Sequence, residues 1–266
     1  MRRDGFIAFA LALVLSGSLS TTAVANTTFS QDYGTFTGSS VSFQNVTETS
    51  VTNSTALFGA PTIFGNSLVF SPMSFAASAR SGAAQYTNSL LNMLITGTGQ
   101  NAINQILLSE FGDYTLIGSH GTAGTNASIV APLTITVYQV DGHTITPFVY
   151  RTTDMDFTPS GGAFALPGQK GSGVAWQGSV TLDVTGLLRD NGYQGYATEV
   201  ALTWENDLTA HSESGTISYI ESKGAGGTGI TIVPPGAVPE PVTLLGMLMG
   251  LSGLATYVRR RKRVAG

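Results

Sequence analysis

Leu133-Thr134-Ile135-Thr136-Val137-Tyr138-Gln139-Val140 is followed by Asp141-Gly142 and then by His143-Thr144-Ile145-Thr146. Apolar and polar side chains alternate through the first run. A strand points successive side chains to opposite faces, so this segment has one apolar face and one polar face. Asp-Gly accepts the positive φ angles of a tight primed turn, which predicts a hairpin reversal at 141–142. The pattern recurs upstream in Val41-Ser42-Phe43-Gln44-Asn45-Val46. Downstream it recurs in Val174 to Val184, Ala197 to Trp204, Thr216 to Ile220 and Gly229 to Val233. Thr, Val, Ile, Tyr and Phe dominate these runs, as suits half-buried pleated surfaces. Alternation with a single apolar face predicts antiparallel sheets packed face to face. The expected fold class is therefore all-β, a β-sandwich, with the jelly roll as one arrangement of it. Ala102 to Phe111 is the one stretch with a helical apolar pattern, and it reads equally well as a strand.

Composition agrees with a turn-rich β protein. Glycine accounts for 33 of 266 residues, and charged residues are only 11% of the chain. Soluble domains carry about a quarter charged residues, so here Ser, Thr, Asn, Gln and Gly must cover the surface. Charge is also unevenly spread. Residues 26–238 hold five basic residues (Arg80, Arg151, Lys170, Arg189, Lys223) against fourteen acidic ones, a net charge of −9. Such a body repels phosphate backbones, which argues against nucleic acid as a partner. Neutral sugars and divalent cations are compatible with it. Without cysteine, disulfides, thiolate metal sites and a cysteine nucleophile are excluded.

Both ends read as addresses. Met1-Arg2-Arg3 precedes the apolar run Phe6 to Leu15, and Ala23-Val24-Ala25 stands before Asn26. Small residues at Ala23 and Ala25 suit signal peptidase, so 1–25 is expected to be a signal peptide and the protein exported. At the other end, Val238-Pro239-Glu240-Pro241 leads into Val242 to Val258, which carries no charge, and then into Arg259, Arg260, Arg261, Lys262 and Arg263. As a helix, 242–258 spans about 25 Å, at the short limit for a hydrocarbon core of roughly 30 Å. Tyr257 and snorkelling arginines extend its reach. The five cations hold that end in the cytoplasm, leaving the body outside. The domain reading is a sandwich body at 26–221, a Gly/Pro linker at 222–238, and a tail at 239–266.

The tripeptide Pro239-Glu240-Pro241, the Leu-, Gly- and Met-bearing apolar stretch and the terminal basic cluster together resemble a PEP-CTERM sorting signal. That resemblance covers the last 25 to 30 residues. It implies recognition and processing by a membrane protease of the exosortase type, in cells that make exopolysaccharide, biofilm or flocs. It speaks to destination and leaves the body's activity open. Three body segments, Leu108 to Leu116, Phe157 to Gly162 and Leu208 to Thr216, also resemble bodies found in other PEP-CTERM proteins, and this implies no enzymatic activity.

Motifs for chemistry are sparse. Gly97-Thr98-Gly99-Gln100-Asn101-Ala102 matches a dinucleotide turn in outline. No βαβ alternation follows it, and Asp113 comes too early to be the ribose-binding acid. His120, His143 and His211 lack zinc-ligand spacing. Ser119-His120 would point to opposite faces of a strand. Carboxylates are better candidates: Asp154 and Asp156 share one face of an extended segment, and Glu205-Asn206-Asp207 offers three oxygen-bearing side chains in a row. Calcium takes six to eight oxygens and is the one cofactor for which these groups leave room. Solvated or turn-forming acids are the plainer reading of both clusters. Trp176, Trp204, Tyr138, Tyr150 and Tyr219 either stack on sugars or fill the core. The expected function is that of an exported, non-catalytic surface or extracellular-matrix protein. Its alternative is a polysaccharide-binding module assisted by calcium, with an exported hydrolase behind both.

Overall fold

Sixteen strands and one short α-helix make up nearly all the regular structure among the described residues. The structure is a computed structural model, and it describes residues 29–236 apart from 73, 99–100, 119–121 and 225–226. The signal peptide expected at 1–25, with Ala23 and Ala25, lies outside the described residues, as do the Pro239-Glu240-Pro241 motif, the apolar stretch 242–258 and the basic cluster 259–263. Among the described residues no helix is long and apolar enough to cross a membrane.

In chain order the strands begin with β1 (Phe29–Thr37), β2 (Val41–Ser50), β3 (Thr62–Phe64), β4 (Ser67–Val69), β5 (Ala76–Arg80) and β6 (Ala84–Gly97). Next come β7 (Gln105–Ile117), β8 (Asn126–Val130), β9 (Pro132–Val140), β10 (His143–Asp154), β11 (Asp156–Thr158) and β12 (Ala163–Ala165). After β13 (Gly171–Asp183) the chain forms helix α1 (Val184–Asp190), then β14 (Ala197–His211), β15 (Ile217–Ser222) and β16 (Gly229–Val233). The first sheet runs β1-β2-β6-β14. Beyond β14 its edge is shared by β9, which carries β10, and by β8, which carries β12. In the second sheet β11, β13 and β7 are neighbours. The far edge of β7 pairs with β16 over its first half and β15 over its second. Every pairing is antiparallel.

The inner faces of the two sheets enclose one apolar cluster. Along β14, Val200, Leu202, Trp204, Leu208 and Ala210 point inward and are buried. Along β7, Ile106, Leu108, Tyr114 and Leu116 do the same from the other sheet. Tyr114 stacks on Phe164 of β12 across the interface, with ring centroids 4.0 Å apart. The hairpin expected at Asp141-Gly142 joins β9 to β10. Both turn residues have positive φ, 48° and 78°, which is the conformation a primed turn requires.

Three local expectations change. The ambiguous stretch Ala102 to Phe111 is extended: Ile103 bridges to Ala197, and β7 begins at Gln105 between strands on both sides. Leu107 supports a helical period only because the outward face of a central strand is also half-covered. The linker expected over 222–238 starts too early, since Gly229–Val233 is β16, paired with both β7 and β4. A Cβ on Gly229 would stand 2.7 Å from the Leu68 carbonyl oxygen, so glycine there permits close strand packing and does not mark a flexible tether. Finally, the strand run Val174 to Val184 ends at Asp183. Its carboxylate caps α1 by accepting from the Gly186 amide at 2.8 Å.

Candidate functional site

The acidic candidates separate. Asp154 ends β10 in the first sheet and Asp156 opens β11 in the second, with buried Met155 at the crossing. Both carboxylates face solvent, on strands of different sheets. The Glu205-Asn206-Asp207 trio splits by the strand's period of two: Glu205 and Asp207 point outward, while Asn206 points into the core with no exposed surface. Among the described residues no three His, Asp or Glu side chains are grouped to hold a metal ion. His143 opens β10 and His211 closes β14, both exposed. Ser119 and His120 lie outside the described residues. Gly97 ends β6, and the next element is β7, a strand, so among the described residues no helix N-terminus follows to cradle a phosphate.

The tryptophans are core residues. Trp204 has no exposed surface and lies 5.0 Å from Phe58 and 6.4 Å from Phe70 between ring centroids. Trp176 covers Gly112, where a Cβ would meet its ring at 2.2 Å. Tyr219 is partly buried and hydrogen-bonded to Glu221 at 2.7 Å. Tyr138 and Tyr150 behave differently, lying on the outward face of β9 and β10.

The outward face of the first sheet carries ordered rows of side chains. Strand register aligns Gln44, Leu94, Ala201, Thr136 and Tyr150 in one row across β2, β6, β14, β9 and β10. The adjacent row is Thr47, Asn92, Thr203, Thr134 and Thr152. Five strands at their usual spacing make each row about 19 Å long. Neither row contains a charge. Hydrogen bonds fix several of the side chains: Thr203 donates to Asn92 Oδ1 at 2.9 Å, Gln44 donates to Thr96 Oγ1 at 2.7 Å, and Thr134 and Thr152 share a bond of 3.0 Å.

Contrasting groups adjoin these rows. At the β10 edge, Tyr150 is 72% exposed and Phe148 is 51% exposed, with Tyr138 meeting Phe148 edge to face at 4.8 Å. Further along β6 and β14, Asn88 Nδ2 donates to both Glu205 Oε1 and Asp207 Oδ1, at 2.9 and 2.5 Å. Tyr86 donates its hydroxyl to the same Asp207 oxygen at 2.7 Å. Partial burial, helped by this bond, raises the Tyr86 pKa and keeps the phenol a donor. Tyr86 and Asn88 carry no motif. Only the β6–β14 register brings them to Glu205 and Asp207, so sequence reasoning had no route to them. The cluster offers carboxylate oxygens as acceptors for the hydroxyls of a ligand.

No family model matches this sequence, and no curated protein matches it. Solved structures with similarity include a carbohydrate-binding module of family 61 bound to β-1,4-galactotriose. It shares 6% identity over 60% of this chain and 70% of its own, with a TM-score of 0.23. A family 28 carbohydrate-binding module specific for non-crystalline cellulose shares 10% identity over 65% and 78% of the two chains, at a TM-score of 0.23. Endoglucanase 3 of Trichoderma harzianum, from glycoside hydrolase family 12, shares 12% identity over 80% and 100%, at 0.21. TM-scores this low carry no argument about what this chain does.

Proposed function

We propose that this chain is an exported, non-catalytic protein of the cell surface or extracellular matrix, and that its sandwich binds a neutral polysaccharide across the outer face of the first sheet. One observation carries this reading: two charge-free rows, mostly of hydrogen-bonding side chains, cross five strands, with an exposed aromatic cluster at their β10 end and a carboxylate pair further along β14. Adjacent strands lie about 4.8 Å apart, close to the length of one sugar in an extended chain, so each strand can meet one residue of a glycan lying across it. Tyr150 and Phe148 present ring faces for the apolar side of a sugar. Threonine hydroxyls, Asn92 and Gln44 exchange hydrogen bonds with its hydroxyl groups. The acidic body disfavours polyanionic glycans. Export and sorting rest on the signal-like N-terminus and the Pro239-Glu240-Pro241 tail, with signal peptidase and an exosortase-type protease as the partners those segments imply.

Affinity electrophoresis of the protein through gels containing soluble neutral glucans, galactans or mannans tests the reading. At least one polysaccharide retards the wild-type protein. Tyr150→Ala weakens that retardation about tenfold, a loss of about 1.4 kcal/mol, and leaves the circular dichroism spectrum unchanged. Equal mobility in every gel, or full binding by a Tyr150→Ala/Thr203→Lys double variant, removes the outer face as the binding surface.

A further inference from the structure

Lys223, Asp113 and Glu221 make the ion pairs found among the described residues, in a chain where charge is otherwise scarce. Asp113 and Glu221 are direct cross-strand partners on β7 and β15. Like charges in that position repel, and the Lys223 ammonium lies between them. Its Nζ touches Asp113 Oδ2 and is 2.7 Å from Glu221 Oε1. The other Glu221 oxygen is held by the Tyr219 hydroxyl at 2.7 Å. The backbone fixes the amine's origin: Lys223 N donates to the Phe111 carbonyl at 2.7 Å, and Thr228 Oγ1 donates to the Lys223 carbonyl at 3.1 Å. Asp113 and Glu221 are largely shielded, with side chains 17% and 26% exposed, while the Lys223 side chain is 44% exposed.

An amine held against one carboxylate, with a second carboxylate in reach of the same nitrogen, brings together the groups that intramolecular amide formation uses. We propose that Lys223 and Asp113 condense into an isopeptide bond, with Glu221 carrying the protons. Glu221 takes a proton from the Lys223 ammonium, and the freed lone pair attacks Asp113 Cγ. Glu221 then returns the proton to the departing Asp113 oxygen. A Cγ–O bond breaks as the N–Cγ bond forms, and the second proton lost by nitrogen leaves with that oxygen as water. One ammonium and one carboxylate become one amide and one water, Glu221 is regenerated, and no oxidant or further reactant is required.

Burial by itself lowers the Lys223 pKa, but the hydrogen bonds and charges of Asp113 and Glu221 outweigh it and raise it. The ion pair is thus the resting reactant, and the step is a slow, single maturation event driven by enforced proximity. Its product ties β7 to the end of β15 through residues 110 positions apart. That linkage gives a cysteine-free exported chain the kind of covalent staple that disulfides provide elsewhere.

Intact mass of the purified full chain, followed by tryptic mapping, decides the matter. The expected result is a protein one water lighter than its polypeptide, with a branched peptide in which residues 81–151 are joined to a segment uncut at Lys223. A Glu221→Gln variant that folds, as judged by circular dichroism, retains the full polypeptide mass. A wild-type mass with no water missing, together with separate peptides ending at Arg151 and at Lys223, overturns the proposal. Loss of water without the branched peptide also overturns it, because dehydration has then occurred elsewhere. Neither result depends on whether the outer face of the first sheet binds a glycan.

Discussion

Glu110 lies between the sheets with no exposed surface and accepts a hydrogen bond from Asn206 Nδ2 across the core. Burial pushes its carboxyl pKa up from 4.5 to about 7, with the hydrogen bond from the Asn206 amide pulling it partway back. A carboxyl whose folded pKa exceeds its unfolded value stabilises the protein in its protonated form. That contribution is complete below pH 4.5 and is lost as pH rises through about 7. The loss amounts to about 3 kcal/mol. Glu110→Gln keeps the shape and cannot ionise. Denaturant titrations should therefore find it close to wild type near pH 4.5 and more stable than wild type at pH 8. Parallel stability profiles for the two proteins would show that Glu110 is not the group responsible. Sequence reading placed Glu110 only within a stretch that read equally as helix or strand, because its environment is built by β7 and β14, strands from different sheets.

Among the elements, the connection from β2 to β3 depends on one buried side chain. Glu48, on the inner face of β2, accepts from the amides of Leu57, Phe58 and Gly59 at 2.6, 2.9 and 3.3 Å. It also accepts from Tyr33 OH in β1 and Ser89 Oγ in β6, at 2.7 and 2.8 Å. The loop so held places Phe58 against Phe75 and Trp204, with centroids 5.2 and 5.0 Å away. Glu48→Ala leaves buried donors unpaired, each costing about 1–3 kcal/mol. Chemical denaturation should show a loss of about 3 kcal/mol or more; a change below about 1 kcal/mol would mean that the loop is held by its phenylalanines alone. Strands with alternating patterns, such as β2, β9 and β14, were legible from their residues because each has one face in the core. The stretch at 102–111 was ambiguous because Leu107 and Phe111 stand on the half-covered outer face and Glu110 on the buried inner one, so residue polarity does not follow the strand's alternation. The helix α1 was overlooked because seven residues are too few for a helical period, although Asp183 and Asn191-Gly192 mark its ends.

For the molecule as a whole, the tail and the sandwich make separable predictions. Glu240→Ala should leave export intact and block tail processing in a host with an exosortase-type protease. Intact mass of the envelope fraction would show the retained tail, whereas normal maturation of the variant would remove the sorting proposal. Composition and local order determined much about this protein. Alternation, Asp141-Gly142 and scarce charge were enough for an all-β body of two antiparallel sheets, because side-chain period and turn chemistry act over a few residues. Tertiary structure decided that Trp176 and Trp204 fill the core, while Tyr150 and Phe148 reach solvent. It separated Asn206 from Glu205 and Asp207, joined Tyr86 and Asn88 to that carboxylate pair, and brought Lys223 to Asp113. These outcomes depend on strand register between segments up to 121 residues apart, and a register is set by the packing of the whole sandwich, which no single stretch of sequence contains.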